Sequence, residues 1–262
     1  MSLWMIGCGN MGGALLRRWI ETGLDAASVT VIDPAGRRIE GVNWVADLPS
    51  GRPDLLVLGI KPQLLGDVAP ALKTHVGSGT SVLSMLAGVE CATLRALFPT
   101  AKAIVRAMPN LPVAIGKGVT GLFSLEEESA RTPINALMAG TGLCEWLEDE
   151  ALFHPLTALS GSGPAFVYRF IAALADAGTA LGLPADQALR LARSMTEGAA
   201  AVAAATSTDP HELARRVASV GGVTAEGLRV LDADAALNRL VTETLKQAAL
   251  RSAAMAEEAR SG

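Results

Sequence analysis

The chain has 262 residues, half of them hydrophobic, and a mean hydropathy of +0.35. That is enough apolar chain for one large domain or two modest ones, and it excludes an intrinsically disordered protein. Twenty-two Lys and Arg against 26 Asp and Glu leave a net charge of −4, without the basic footprint of a nucleic-acid-binding surface.

The first segments alternate short apolar runs with helix-length amphipathic stretches. Strands are expected at 3–6, 29–32, 55–60, 81–86 and 104–106, each rich in Val, Ile or Leu and bounded by Gly, Pro or Asp. Met11, Leu15 and Trp19 recur every fourth residue and share one helix face. Strand and helix in alternation predict an α/β fold, with a doubly wound parallel sheet covered on both faces. The pattern changes near residue 150. From Pro164 onward no strand is expected, Phe166, Phe170 and Leu174 are spaced by four, and Ala and Gly dominate 172–205. Pro184 and Pro210 stand where helices have just ended. The expected organisation is an α/β domain over 1–150 and an all-helical domain over 151–262.

The N-terminus lacks the basic flank of a secretory signal, and the most apolar stretch, 165–183, is broken by Arg169 and Asp176. A soluble, cytoplasmic protein is expected. Cys8, Cys91 and Cys144 form no CxxC pair, and His75, His154 and His211 are scattered, so neither a disulfide framework nor a zinc site is expected.

Gly7-Cys8-Gly9-Asn10-Met11-Gly12 fits G-x-G-x-x-G, between an expected strand and an expected helix. In that context Gly7 allows a tight turn, Gly9 lets a pyrophosphate approach the backbone, and Gly12 lets helix and strand pack closely. The phosphates would meet the free N–H groups of the helix N-terminus. Asp33 follows the second strand, where a carboxylate can accept from a ribose 2′-OH and favour NADH. Arg37 and Arg38 follow it and could grip a 2′-phosphate, favouring NADPH; a plain Asp33-Pro34 turn is the third option. Gly59-Ile60-Lys61-Pro62-Gln63 and Arg106-Ala107-Met108-Pro109-Asn110-Leu111-Pro112 also leave strand ends, where open α/β sheets bind ligands. Ser160-Gly161-Ser162-Gly163-Pro164-Ala165 reads as a tight turn into a helix. Ser219-Val220-Gly221-Gly222-Val223-Thr224 reads as a flexible turn that can aim several N–H groups at one anion; Thr224 could cap the next helix or touch a ligand. No Ser-His-Asp or Cys-His arrangement is detectable.

In this order, these segments resemble the pyrroline-5-carboxylate reductase family over essentially the whole chain. They are Ile6–Met11, 59–63, Ala87-Gly88-Val89, 106–110, 159–165 and 217–224. The family usually shows Ser-Pro-Gly-Gly-Thr-Thr; here Val220 and Val223 replace the proline and the first threonine, and Leu111 stands where a threonine is usual. The resemblance implies a Rossmann-type domain followed by a helical domain that interleaves with a partner in a homodimer or larger oligomer of dimers. It implies NADPH or NADH as cofactor, held by Ile6, Gly7, Cys8, Gly9, Asn10, Met11, Asp33, Ile60, Lys61, Pro62, Ala87 and Asn110. It implies that Glu150, Ser219, Gly221, Gly222, Val223 and Thr224 bind 1-pyrroline-5-carboxylate, with Thr224 on the ring nitrogen as the imine becomes L-proline. A related imine or hydroxy-acid reductase, or a dinucleotide sensor without catalysis, is the alternative expectation.

Overall fold

The computed structural model describes residues 1–35, 38–126 and 128–261. They form two compact units: Met1–Ser162 with the C-terminal segment from Gln247, and Gly163–Lys246.

The first unit is built on an eight-stranded sheet. In chain order it contains β1 (Leu3–Ile6), α1 (Asn10–Glu21), β2 (Val29–Ile32), β3 (Asn43–Val45), β4 (Leu55–Leu58), α2 (Leu65–Lys73), β5 (Ser81–Ser84) and α3 (Cys91–Leu97). It continues with β6 (Ala103–Pro109), β7 (Gly118–Phe123), α4 (Glu128–Met138), β8 (Gly142–Trp146) and α5 (Phe153–Leu156). The strand order is β3-β2-β1-β4-β5-β6-β7-β8. All neighbours are parallel except β6 and β7.

Every residue of β1, β4 and β5 is buried, because successive side chains alternate between two covered faces. Leu3, Met5, Val57 and Leu83 join Leu15 and Trp19 of α1 on one face. Trp4, Leu56, Leu58 and Val82 join Leu72, Phe98 and Phe153 on the other. The Met11–Leu15–Trp19 face is therefore where the spacing puts it.

The sheet corrects the sequence reading in three places. β3, β7 and β8 are additional strands; β7 carries two glycines and β8 alternates half-buried and exposed residues, so neither shows a long apolar run. β4 and β5 end at Leu58 and Ser84, so that 59–60 and 85–86 start the loops that follow, whereas β6 runs on through Pro109 and takes in residues 106–109 of the expected loop. The sheet is also not wholly parallel. β6 and β7 are joined only by a 3-10 turn, Leu111–Ile115, and Gly116 at φ +68°, too short a link for a parallel crossover.

The helical character sets in before the unit boundary. Phe153 is fully buried in the core of the first unit, and His154 Nδ1 lies 3.1 Å from Ser252 Oγ in the returning C-terminal segment. A single π turn, Thr157–Gly161, leads into α6 (Gly163–Ala180).

The second unit continues α6 with α7 (Ala185–Ala204), α8 (Pro210–Arg216), α9 (Val223–Asp232) and the start of α10 (Ala236–Ser261). Among its described residues there is no strand. Ala175, Ala188 and Ala192 are its buried apolar residues, so α6 and α7 meet through small side chains. Phe170, Leu191 and Met195 are about half exposed. Pro184 and Pro210 sit where the next helices begin, as N-cap and first-turn residue.

Candidate active site

The loops after β1, β4 and β5 start as continuations of the parallel ladder. The Gly7 N–H donates to Ile32 O at 3.0 Å, Gly59 N–H to Ile6 O at 2.8 Å, and Met85 N–H to Leu58 O at 3.0 Å. Three loops are thereby stacked at the carboxyl ends of the strands, where the change of winding opens a crevice.

The glycine turn fills its expected roles one by one. Gly7 has φ +81°, and a methyl group there would lie 2.7 Å from Ile60 Cγ2. Gly59 is equally confined, since its Cβ would lie 2.7 Å from Gly7 O. A Cβ on Gly12 would approach Gly7 O to 3.2 Å, so α1 packs tightly on β1. A Cβ on Gly9 would meet nothing within 4 Å. Gly9 is the N-cap of α1, with no side-chain cap and no acid in the first turn. The helix begins to satisfy its own N–H groups only at Gly13, which donates to Gly9 O at 2.8 Å. Free donors, a positive helix end and open space fit a pyrophosphate.

Asp33 braces this turn. Its Oδ2 accepts the Cys8 N–H at 2.7 Å and its Oδ1 the Ala35 N–H at 2.8 Å. Arg38 is exposed nearby in sequence, and Arg37 lies outside the described residues. The Cys8 thiol is buried; burial first, and the Asp33 charge second, push its pKa to about 11. It is a packed neutral side chain, not a nucleophile.

Lys61 is exposed at the head of the 3-10 turn Pro62–Leu64. Pro62 and Ala87 border one cavity of about 540 Å³, together with Gln63, Gly88, Thr93 and Met255. Asn110, by contrast, is buried and spans three elements: its Nδ2 donates to Ser160 O at 2.9 Å, and its Oδ1 accepts the Val119 N–H at 2.8 Å. It ties the end of β6 to β7 and to the π turn. In place of the tight turn expected at 160–165, the π turn over Thr157–Gly161 closes with the Ser162 N–H donating to Thr157 O at 2.9 Å, and residues 163–165 already open α6.

Glu150 faces inward. Its Oε1 accepts from Arg106 Nη1 at 3.0 Å and from the Cys91 N–H at 2.9 Å. Arg106 is a residue to which its sequence motif alone assigns no role. An arginine in the middle of an otherwise apolar strand run was the signal available.

The second unit holds the 219–224 turn. Gly221 has φ +69°, and the Gly222 N–H donates to Ser219 O at 2.9 Å, closing the turn. A Cβ on Gly222 would collide with Ser219 Oγ. Gly222, not Thr224, is the N-cap of α9, and no side chain caps the helix. Thr224 is exposed in the first turn, beside the open N–H groups, so the capping option is set aside. Val220 and Val223 are exposed. Among the described residues no His, Cys, Asp and Glu group is placed to hold a metal ion.

A glycine turn on an open helix end, at the switch in a mostly parallel sheet and followed by a helical unit, is the architecture of the Rossmann-type dinucleotide-binding proteins. The family description "Pyrroline-5-carboxylate reductase dimerisation" matches residues 150–255. Pyrroline-5-carboxylate reductase of Pseudomonas aeruginosa is 34% identical, over 97% of this chain and 96% of its own length. That of Aquifex aeolicus is 34% identical over 88% and 89%. Among solved structures, the pyrroline-5-carboxylate reductase of Coxiella burnetii matches with a TM-score of 0.85 at 29% identity, covering 96% of this chain and 97% of that one. The Plasmodium falciparum pyrroline carboxylate reductase with NADP bound matches with a TM-score of 0.83 at 25% identity, covering 98% of both chains. The chain belongs to the pyrroline-5-carboxylate reductase family.

Proposed function

We propose that this chain reduces the C=N bond of 1-pyrroline-5-carboxylate to give L-proline, with NADPH or NADH as reductant. The observation that carries the reading is the open, uncapped start of α1 on the Gly7–Gly12 turn, in a chain similar over nearly its full length to reductases of this name. When bound, the nicotinamide supplies a hydride to the imine carbon.

The rest is orientation by the chain. The N–H groups around Gly9, Asn10 and Met11 hold the pyrophosphate, with Ile6, Gly7 and Cys8 shaping the turn. Asp33 holds that turn and faces the ribose end, with Arg38. Ile60, Lys61, Pro62 and Ala87 border the nicotinamide end, and Asn110 keeps the neighbouring loop rigid. In the second unit, the Gly221 and Val223 N–H groups receive the substrate carboxylate beside Ser219, and Gly222, whose N–H closes the turn on Ser219 O, gives it room. The Thr224 hydroxyl hydrogen-bonds the ring nitrogen as it becomes an amine.

Thr224→Ala is the test of that assignment. Turnover falls on the order of a hundredfold, while dinucleotide affinity, read by nicotinamide fluorescence, stays near that of the parent. Unchanged turnover would remove Thr224 from the site.

The substrate is a small molecule, and the partner a second copy of the chain. The half-exposed Phe170, Leu191 and Met195 suit a homodimer, or a larger oligomer of dimers, formed through the helical unit. Light scattering checks this, and a monomer at working concentration contradicts it. Among the described residues no helix is long and apolar enough to cross a membrane. The protein is placed in the cytoplasm as part of this reading, a location that fractionation tests.

A further inference from the structure

One ion pair joins Glu150, which the family resemblance gives to the substrate, to Arg106, which has no role above. Arg106 is 3% exposed, in β6, and its neighbour across the sheet is Ser84, the last residue of β5. Its Nη1 donates to Glu150 Oε1 at 3.0 Å, and the same oxygen accepts the Cys91 N–H at 2.9 Å. Cys91 opens α3. The loop 85–90 therefore leaves the sheet beside the Arg106 backbone and finishes at a residue that the Arg106 side chain holds through Glu150. The guanidinium carbon lies over the Phe153 ring, 4.2 Å from its centre. Arg106 Nε is buried with no hydrogen-bond partner.

The middle of the loop is backed as well. Gly88 has φ +77°, and a Cβ there would lie 3.0 Å from Ala256 Cα and 3.1 Å from Met255 O of α10. The loop is thus supported at its start, its centre and its finish, with Ala87 facing the cavity shared with Pro62.

A buried Arg–carboxylate pair is a poor source of stability, because desolvation offsets the attraction and apolar residues of similar size do as well. A pair kept here with one guanidinium nitrogen unsatisfied serves geometry. We propose that Arg106 is a positioning residue which, through Glu150, fixes the 85–90 loop and so the nicotinamide end of the dinucleotide. This rests on the reading that Ala87 borders the cofactor, and it gives Glu150 a brace in place of a substrate contact.

The test compares Arg106→Met with the double variant Arg106→Met, Glu150→Leu. The single variant strands the Glu150 charge and lowers both the melting temperature and turnover. The double variant regains the melting temperature, yet kcat stays reduced, on the order of ten- to a hundredfold. NADPH binding, read by fluorescence, is weaker, and KM for the imine is close to that of the parent. Recovery of turnover along with stability would overturn the proposal, since the pair would then serve folding alone. A raised imine KM with unchanged NADPH affinity would also overturn it, by making Glu150 a substrate contact. If the double variant does not fold, Arg106→Lys decides: it keeps the charge but loses the planar fork. Weaker NADPH binding in that variant supports the proposal and unchanged binding contradicts it. Failure of the parent chain to turn over the imine would instead strike the reduction reading, and the NADPH-binding comparison would still report on the loop.

Discussion

Gly7 and Gly9 sit two residues apart and answer to different demands. A methyl on Gly7 meets Ile60 at 2.7 Å and needs a left-handed backbone, whereas a methyl on Gly9 meets nothing within 4 Å. Gly7→Ala therefore destabilises the fold by roughly 1–3 kcal/mol, measurable by urea unfolding. Gly9→Ala leaves stability near that of the parent and weakens NADPH binding on the order of tenfold or more, because the methyl fills the pyrophosphate space. Equal binding in Gly9→Ala and the parent would contradict the assigned phosphate site. Cys91 adds a pH signature. Burial foremost, and Glu150 next, push its thiol from 9.0 to about 12. Above pH 9 the unfolded chain loses a proton that the folded chain keeps, so this contribution is complete below pH 9 and declines as pH rises toward 12. Urea unfolding at about pH 8 and about pH 10 reads it, and Cys91→Ala makes the decline shallower. An equal decline in the variant would assign the effect elsewhere.

At the scale of elements, hydrophobic pattern located what was apolar throughout and missed what was not. β1, β2, β4 and β5 were legible because they are short runs rich in Val, Ile and Leu between punctuating loops. β7 was hidden by Gly118 and Gly121, which are there for packing: a Cβ on Gly121 would strike Leu156, and one on Gly118 would strike Val113. Such glycines weaken a strand signal while making the strand possible. The π turn left no local sequence signature either; Asn110 meets it by donating to Ser160 O from a strand end far away in the chain. Asn110→Ala leaves the Val119 N–H and Ser160 O without that partner and costs about 1–3 kcal/mol. Urea unfolding measures it, and a cost near zero would show that the bracket is dispensable.

Over the whole molecule, the loops that carry the proposed binding residues were legible by their position after strands, but the contacts those residues make were not. The Gly7–Gly12 turn, the 59–63 loop and Ala87 do stand together at the strand ends, as loop order along a parallel sheet requires. Asn110 and Glu150 look polar and available in sequence, yet both are enclosed by partners of the same unit, Ser160 and Val119 in one case and Arg106 and Cys91 in the other. Burial and long-range partners decide between binding and bracing, and neither is written in local pattern. The helical half was legible as helical, and its small residues do bring α6 and α7 together, while several of its larger apolar side chains remain exposed. The central claim is reduction of a cyclic imine by a bound dinucleotide. It is tested most directly by following nicotinamide absorbance after 1-pyrroline-5-carboxylate is added, with NADPH and NADH in separate runs. Rapid oxidation with formation of L-proline is expected in at least one run; no oxidation in either would rule out reduction of this imine.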